Sequence, residues 1–251
     1  MSQIVTVHSY RGGTGKSSTA ANLAVLLARA DRRVGLVDLD IQTPALDAVF
    51  DLAPAGPRYT LADYLVGRCE IEEAAGAVHA DAGHAGLFLV PARSRVAGGG
   101  EVMGHGYDVG LLREGFDRLI DSLALDVLLL DTRAGFTNET VTAMASADVL
   151  LVLARADRLD LAGAAETRAV AERLGCPEPV VVVNHASGGR LPPGFREQLG
   201  AGLGAPVAAV LPYAPEMALL AGERLFSNAY PHHPLVSGYR RLLTTVRTPR
   251  P

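Results

Sequence analysis

One lysine is present in 251 residues, and it sits inside a glycine-rich decapeptide, SYRGGTGKSS, at positions 9–18. An apolar run at 4–8 precedes this stretch and a helical pattern at 19–30 follows it, which puts the glycines between a strand and a helix. Without Cβ atoms, such a loop turns successive backbone N–H groups inward, and with the helix's first turn they form a cradle for phosphate oxygens. Lys16 is then the point charge that reaches β- and γ-phosphates, and Ser17 is the hydroxyl ligand of magnesium. A glycine-rich turn ahead of an ordinary core helix is the bland alternative. The strand on one side and the helix on the other argue against it.

Two more apolar segments end in carboxylates. The segment at 33–38 runs into Asp38-Leu39-Asp40, and the segment at 127–131 ends in Asp131. Ligands of open α/β sheets lie beyond the C-terminal ends of the strands, and acids two apart on an extended chain point the same way. A buried strand that delivers one carboxylate to a metal is the physical requirement Asp131 meets. For Asp38 and Asp40 the alternative is a pair of solvated acids capping a helix that starts near Pro44, a role that suits Asp47 better.

The common phosphate-loop pattern G-x-x-x-x-G-K-[ST] fails at Tyr10, where glycine is needed. Arg11-Gly12-Gly13-Thr14-Gly15-Lys16-Ser17 instead follows K-G-G-x-G-K-[ST] in all but its first position, and on these residues the chain resembles the MinD/ParA family of deviant P-loop ATPases. The resemblance implies ATP and Mg2+ as cofactors. It places Gly12, Gly13, Thr14, Gly15, Lys16, Ser17 and Ser18 around the phosphates, and Ser17, Asp38 and Asp131 at the metal. By the same resemblance Asp40 orients the attacking water, Asn184 hydrogen-bonds adenine, and Gly135 brings its N–H toward the γ-phosphate. The family's first lysine reaches across a nucleotide-sandwich dimer. Here Arg11 offers that charge as a planar five-donor fork, so Lys16, Asp40 and Arg11 form the expected catalytic set. Asn184 also reads as a plain turn residue after the strand at 179–183. Arg133 replaces the proline of the family's D-[TS]-P-A-G and either senses the γ-phosphate or points into solvent. Residues 136–145 would be the switch-like segment that follows it.

These residues need a scaffold. A composition 49% hydrophobic with mean hydropathy +0.20 suits parallel strands buried on both faces. Further strands are expected at 87–91, 149–153 and 207–211, alternating with helices at 60–66, 109–123, 160–174, 194–199 and 215–221. The expected fold is therefore α/β: a mostly parallel twisted sheet with helices on both faces, forming one P-loop NTPase domain over 1–251. Residues 92–110 form a glycine-rich loop expected to be mobile, with His105 exposed. A last helix at 235–246 carries Leu235, Val236, Tyr239, Leu242, Leu243 and Val246 on one stripe, with Arg240, Arg241 and Arg247 off it. It either packs into the core or lies on an anionic membrane, and packing is preferred. The arginines are then a solvated face or a small site for DNA phosphates.

Composition narrows the classes further. A net charge of −4 gives no whole-protein basic field for nucleic acid or acidic lipid. Cys69 and Cys176 match neither a CxxC spacing nor a disulfide framework, and His185, His232 and His233 match no metal spacing. No apolar run approaches the ~18 residues of a spanning helix, and the first strand begins too near Met1 for a leader, so a cytoplasmic protein is expected. The leading expectation is an ATP-dependent dimerisation switch that positions or partitions a cargo, a homodimer when ATP is bound, with slow hydrolysis stimulated by an unidentified protein partner. Its rival is a degenerate nucleotide-binding adaptor with negligible hydrolysis. Iron-sulfur carriers would need paired bridging cysteines, and a tyrosine autokinase a C-terminal tyrosine cluster where only Tyr230 and Tyr239 occur.

Overall fold

A computed structural model describes residues 2–50, 59–78, 86–93, 107–187, 192, 194–220, 222 and 224–247. Eight strands form one sheet: β1 (Gln3–His8), β2 (Val34–Asp38), β3 (Gly76–Ala77), β4 (Leu87–Val90), β5 (Val127–Asp131), β6 (Val149–Arg155), β7 (Val180–Ala186) and β8 (Val207–Pro212). Their order is β3-β4-β2-β5-β1-β6-β7-β8, and every pair is parallel except β3 with β4. The α/β expectation is met. The short antiparallel β3 is not among the expected strands, because two residues are too few to establish a pattern.

Burial follows the strand period. In β5, Val127 and Leu129 enter one core while Leu128 and Leu130 enter the other, so the strand reads as an unbroken apolar run. The first core is shared with α1 (Lys16–Ala28) and α10 (Pro234–Arg247). Every residue of α1 from Thr19 to Ala28 is buried, as a helix that is apolar all round requires. The opposite face is covered in sequence by α3 (Leu61–Leu65) and α4 (Gly110–Ser122), by α5 (Asn138–Ala145) and α6 (Arg158–Arg173), and by α7 (Phe195–Leu203). Among the described residues there are also three short α-helices, α2 (Leu46–Val49), α8 (Glu216–Leu219) and α9 (Phe226–Ala229), and a 3-10 turn at Ile71–Ala74.

Several boundaries move. The first helix begins at Lys16 rather than 19, because Gly15 in the left-handed region (φ 85°) ends the loop one residue earlier. Thr60 caps α3 through a reciprocal capping box with Asp63, and Asp157 caps α6, so that helix starts at Arg158. The apolar stripe of α10 is fully used: Leu235, Val236, Tyr239, Leu242, Leu243 and Val246 are all buried in the first core. Packing is the reading that holds, leaving Arg240 and Arg241 exposed. The loop expected at 92–110, including His105, lies mostly outside the described residues.

Candidate functional site

Register brings the acids together. Asp38 and Asp131 are partners across β2 and β5, and Val7 pairs with Asp131 across β1, so both carboxylates stand at the sheet's C-terminal edge beside the loop leaving β1. That loop enters α1 with Gly13 (φ 75°) and Gly15 in left-handed conformation. The helix has no side-chain cap and no acid in its first turn, so its first N–H groups are left to a ligand. A Cβ on Gly15 would run into the Asn184 amide.

Asp131 is 1% exposed, and its Oδ1 has no hydrogen-bond partner. Burial, then the nearby Asp38 charge, push its carboxyl up to about 7, opposed by Lys16 and by the Ser17 hydroxyl beside it. Asp38 is pushed up to about 6, chiefly by burial. Its oxygens are occupied: Oδ1 accepts from the Asp40 N–H at 3.0 Å, and Oδ2 accepts from the N–H groups of Ala45 and Leu46 at 3.1 and 3.2 Å. Asp40 closes a turn, accepting from the Thr43 N–H at 2.9 Å and the Thr43 hydroxyl at 2.8 Å. Asp38 thus holds the start of α2 as a buried acid, 1% exposed, whereas Asp40 closes the turn before it. Asp131 keeps the free oxygen.

The remaining expected residues are tied to neighbours. Arg11 Nη1 lies 3.4 Å from Asp160 Oδ1, and Arg155 Nε donates to the same carboxylate's Oδ2 at 2.7 Å. Burial would raise the Asp160 pKa, but the Arg155 hydrogen bonds and the Arg11 charge hold it below the usual carboxylate range. Asn184 Nδ2 donates to the Thr14 carbonyl at 2.8 Å, which fixes the phosphate loop to β7. Gly135 donates its N–H to the Ser9 carbonyl at 3.1 Å rather than leaving it open for a phosphate. Arg133 is half-buried, and among the described residues no carboxylate lies within ion-pair distance of it.

Two residues absent from the sequence expectation join the site. Tyr10, the residue that breaks the common pattern, lies against Gly163, where a Cβ would come within 2.5 Å of its ring, and meets the Phe136 ring edge-on at 5.9 Å. His8 is fully buried and stacks on Phe136 at 5.6 Å. The single Thr132 hydroxyl hydrogen is donated to the Val7 carbonyl, so the 3.1 Å contact from His8 Nδ1 must carry the hydrogen on the imidazole. His8 Nε2 is then a bare acceptor with no partner. Burial first, and the Lys16 charge second, hold the imidazole down to about 3, so it is neutral. No spacing rule marks a histidine at the end of an apolar strand.

The donor set fits a hard cation on a phosphate. One free, buried carboxylate oxygen and one hydroxyl are what magnesium takes from protein when phosphate and water supply the rest. Among the described residues no group of three or more His, Cys, Asp or Glu is gathered so as to hold a metal ion.

A parallel sheet with a glycine-rich loop at its central strand and a buried acid ending the adjacent one defines a P-loop nucleotide-binding protein. The sequence profile of a family described as an AAA domain matches residues 2–174. The antiactivator FleN of Pseudomonas aeruginosa is 36% identical over 155 residues, 60% of this chain and 50% of that protein. An uncharacterised ATP-binding protein of Methanocaldococcus jannaschii is 28% identical over 193 residues, 74% of this chain and 66% of its own. The chain thus spans about half to two thirds of the length of these curated relatives. The crystal structure of the cell-division ATPase MinD of Pyrococcus furiosus superposes with TM-score 0.81 at 25% identity, covering 98% of both chains. MinD of Pyrococcus horikoshii complexed with Mg-ADP gives TM-score 0.81 at 24% identity, covering 99% of this chain and 97% of that one. The chain belongs to the AAA-domain family and, within it, to the MinD/ParA P-loop ATPases.

Proposed function

We propose that the chain is an ATP hydrolase of MinD/ParA type, a single domain that works as an ATP-dependent dimerisation switch positioning or partitioning a cellular cargo. The observation that carries this reading is the unpartnered Asp131 Oδ1, buried beside Lys16 and Ser17 at the mouth of an uncapped helix. Ser17 and Asp131 would hold Mg2+, which neutralises charge on the β- and γ-phosphates. Gly12, Gly13, Thr14, Gly15 and Ser18 supply the cradle, and Lys16 the charge that follows the transferred phosphoryl group. Asp38 holds the Asp40 and Ala45–Leu46 backbone in place, which keeps the water-orienting acid near the site.

Two catalytic groups are engaged elsewhere in the free chain: Asp40 by Thr43, and Arg11 by Asp160. Hydrolysis by the isolated protein is therefore slow, and a dimer partner or activator protein raises it by drawing both groups to the phosphates. The exposed Arg240 and Arg241 are a candidate contact for DNA phosphates, with membrane the weaker alternative because α10's apolar stripe is buried. Among the described residues no helix is long and apolar enough to cross a membrane, and two free cysteines suit a reducing cytoplasm.

Steady-state phosphate release tests the reading. Lys16→Ala should abolish it, and Asp40→Ala should lower it by roughly 100-fold while ATP still binds. Either variant matching wild type rules out hydrolysis at this site. The same engaged state of Asp40 and Arg11 favours the adaptor as second reading, in which ATP binds and no partner restores turnover.

A further inference from the structure

The sheet has two outer strands, and only one of them is long enough to template another. At one end β3 is two residues long, too short to hold a partner strand. At the other end β8 runs for six residues, VAAVLP, with no charged side chain, and among the described residues it pairs only with β7. Natural edges of that length are blunted by a charge, a proline or a bulge. Pro212 ends β8 and Pro206 precedes it, but every residue between them keeps its N–H.

The strand is bulged at its start. Its register moves from Val181↔Val207 to Val182↔Ala209, so β8 advances by two residues while β7 advances by one, and Ala208 is the extra residue. A regular strand turns successive carbonyls to opposite sides, and a bulge breaks that alternation. Here one guanidinium takes both. Arg196, in the first turn of α7, donates from Nη2 to the Val207 carbonyl at 2.7 Å and to the Ala208 carbonyl at 2.9 Å, and from Nε to the Val207 carbonyl at 3.2 Å. The residue is exposed, so its cation stands in solvent at the sheet's edge. The start of β8 is otherwise open, because Arg196 and Val207 line a groove of about 480 Å³ between the strand and α7.

We propose that Arg196 plugs the free edge of the sheet, and that without it β8 pairs with β8 of a second copy of this chain. The plug occupies acceptors that a second strand would need, and it sets one arginine against another when two such edges meet. A two-fold axis makes the unplugged pair antiparallel and self-complementary. Since β3 cannot extend the joined sheet, association stops at a dimer. None of this depends on nucleotide, for β6 and β7 stand between β8 and the strand that leads into the phosphate loop.

Sedimentation without nucleotide, over a range of protein concentrations, tests it and keeps the proposed ATP-dependent dimer out of the measurement. Wild type should stay monomeric. Arg196→Met keeps an aliphatic stem but removes the donors and the charge, and should shift to a dimer as concentration rises, with slower amide exchange at 207–211 in the associated form. Arg196→Lys retains a donor and a cation and should stay monomeric. The inference is overturned by wild type that dimerises without nucleotide, or by Arg196→Met that remains monomeric at every concentration reached. Equal association by Arg196→Lys overturns it too, as does association in which 207–211 exchange faster, the mark of a partly unfolded chain.

Discussion

At the scale of single residues, the site is a set of polar atoms kept in states they would not adopt in water. His8 binds no proton in the fold until about pH 3 but does so near 6.5 once unfolded. A base whose folded pKa is depressed loses stability as pH falls through its unfolded value, because the unfolded chain takes up the proton. Asp38 and Asp131, with raised folded values, act in the opposite sense and favour the fold as pH falls below about 7. Comparing wild type with His8→Asn, which keeps a donor toward Thr132, isolates the histidine. Between pH 7 and 5 the variant's unfolding free energy, from urea titrations, should lose less than wild type's, by up to ~1.4 kcal/mol per pH unit.

The acids and glycines of the site were legible because the chemistry of each is contiguous in the chain, as in SYRGGTGKSS or D-x-D. Their partners were not. Arg11 meets Asp160 149 positions away, and Asn184 meets Thr14 170 positions away, so neither contact leaves a local pattern. His8 could not be singled out because its function here is burial, and nothing in one sequence distinguishes a buried imidazole from an exposed one.

At the scale of elements, unbroken apolar runs, helical periodicity and capping residues placed most strands and helices, since all are local. What escaped were β3 and α9, too short to have a period, α5, whose residues the sequence offers only as a switch-like segment, and the docking of one element on another. The β8–α10 contact illustrates the second. A Cβ on Gly238 of α10 would lie 2.5 Å from Leu211 Cδ2 of β8, whereas one on Gly202 of α7 meets nothing within 4 Å. The same substitution therefore has opposite signs. Gly202→Ala should stabilise by ~0.5–1 kcal/mol through backbone entropy. Gly238→Ala has the same gain but a larger overpacking cost, and should destabilise by about 1 kcal/mol net in chemical denaturation.

At the scale of the whole molecule, a switch must differ between its two states in what it can touch. In the free chain Arg11 and Asp40 are each engaged by a neighbour, Arg11 while still exposed, and the proposed dimer would recruit them. Sedimentation of Asp40→Ala, which removes the water-orienting acid, should show monomer without nucleotide and dimer with saturating ATP. Persistent monomer at saturating ATP would sink the dimerisation switch, though not nucleotide binding.

The bare oxygen of Asp131 also bears on how long the protein lasts. A buried carboxylate oxygen left without a partner weakens the empty fold, and a ligand that binds only the fold strengthens it, by about 2.7 kcal/mol at a hundred times its Kd. The empty chain is then the form that opens most often to proteases. A fall in cellular ATP would shorten its half-life, so abundance would track nucleotide supply without any dedicated degradation signal.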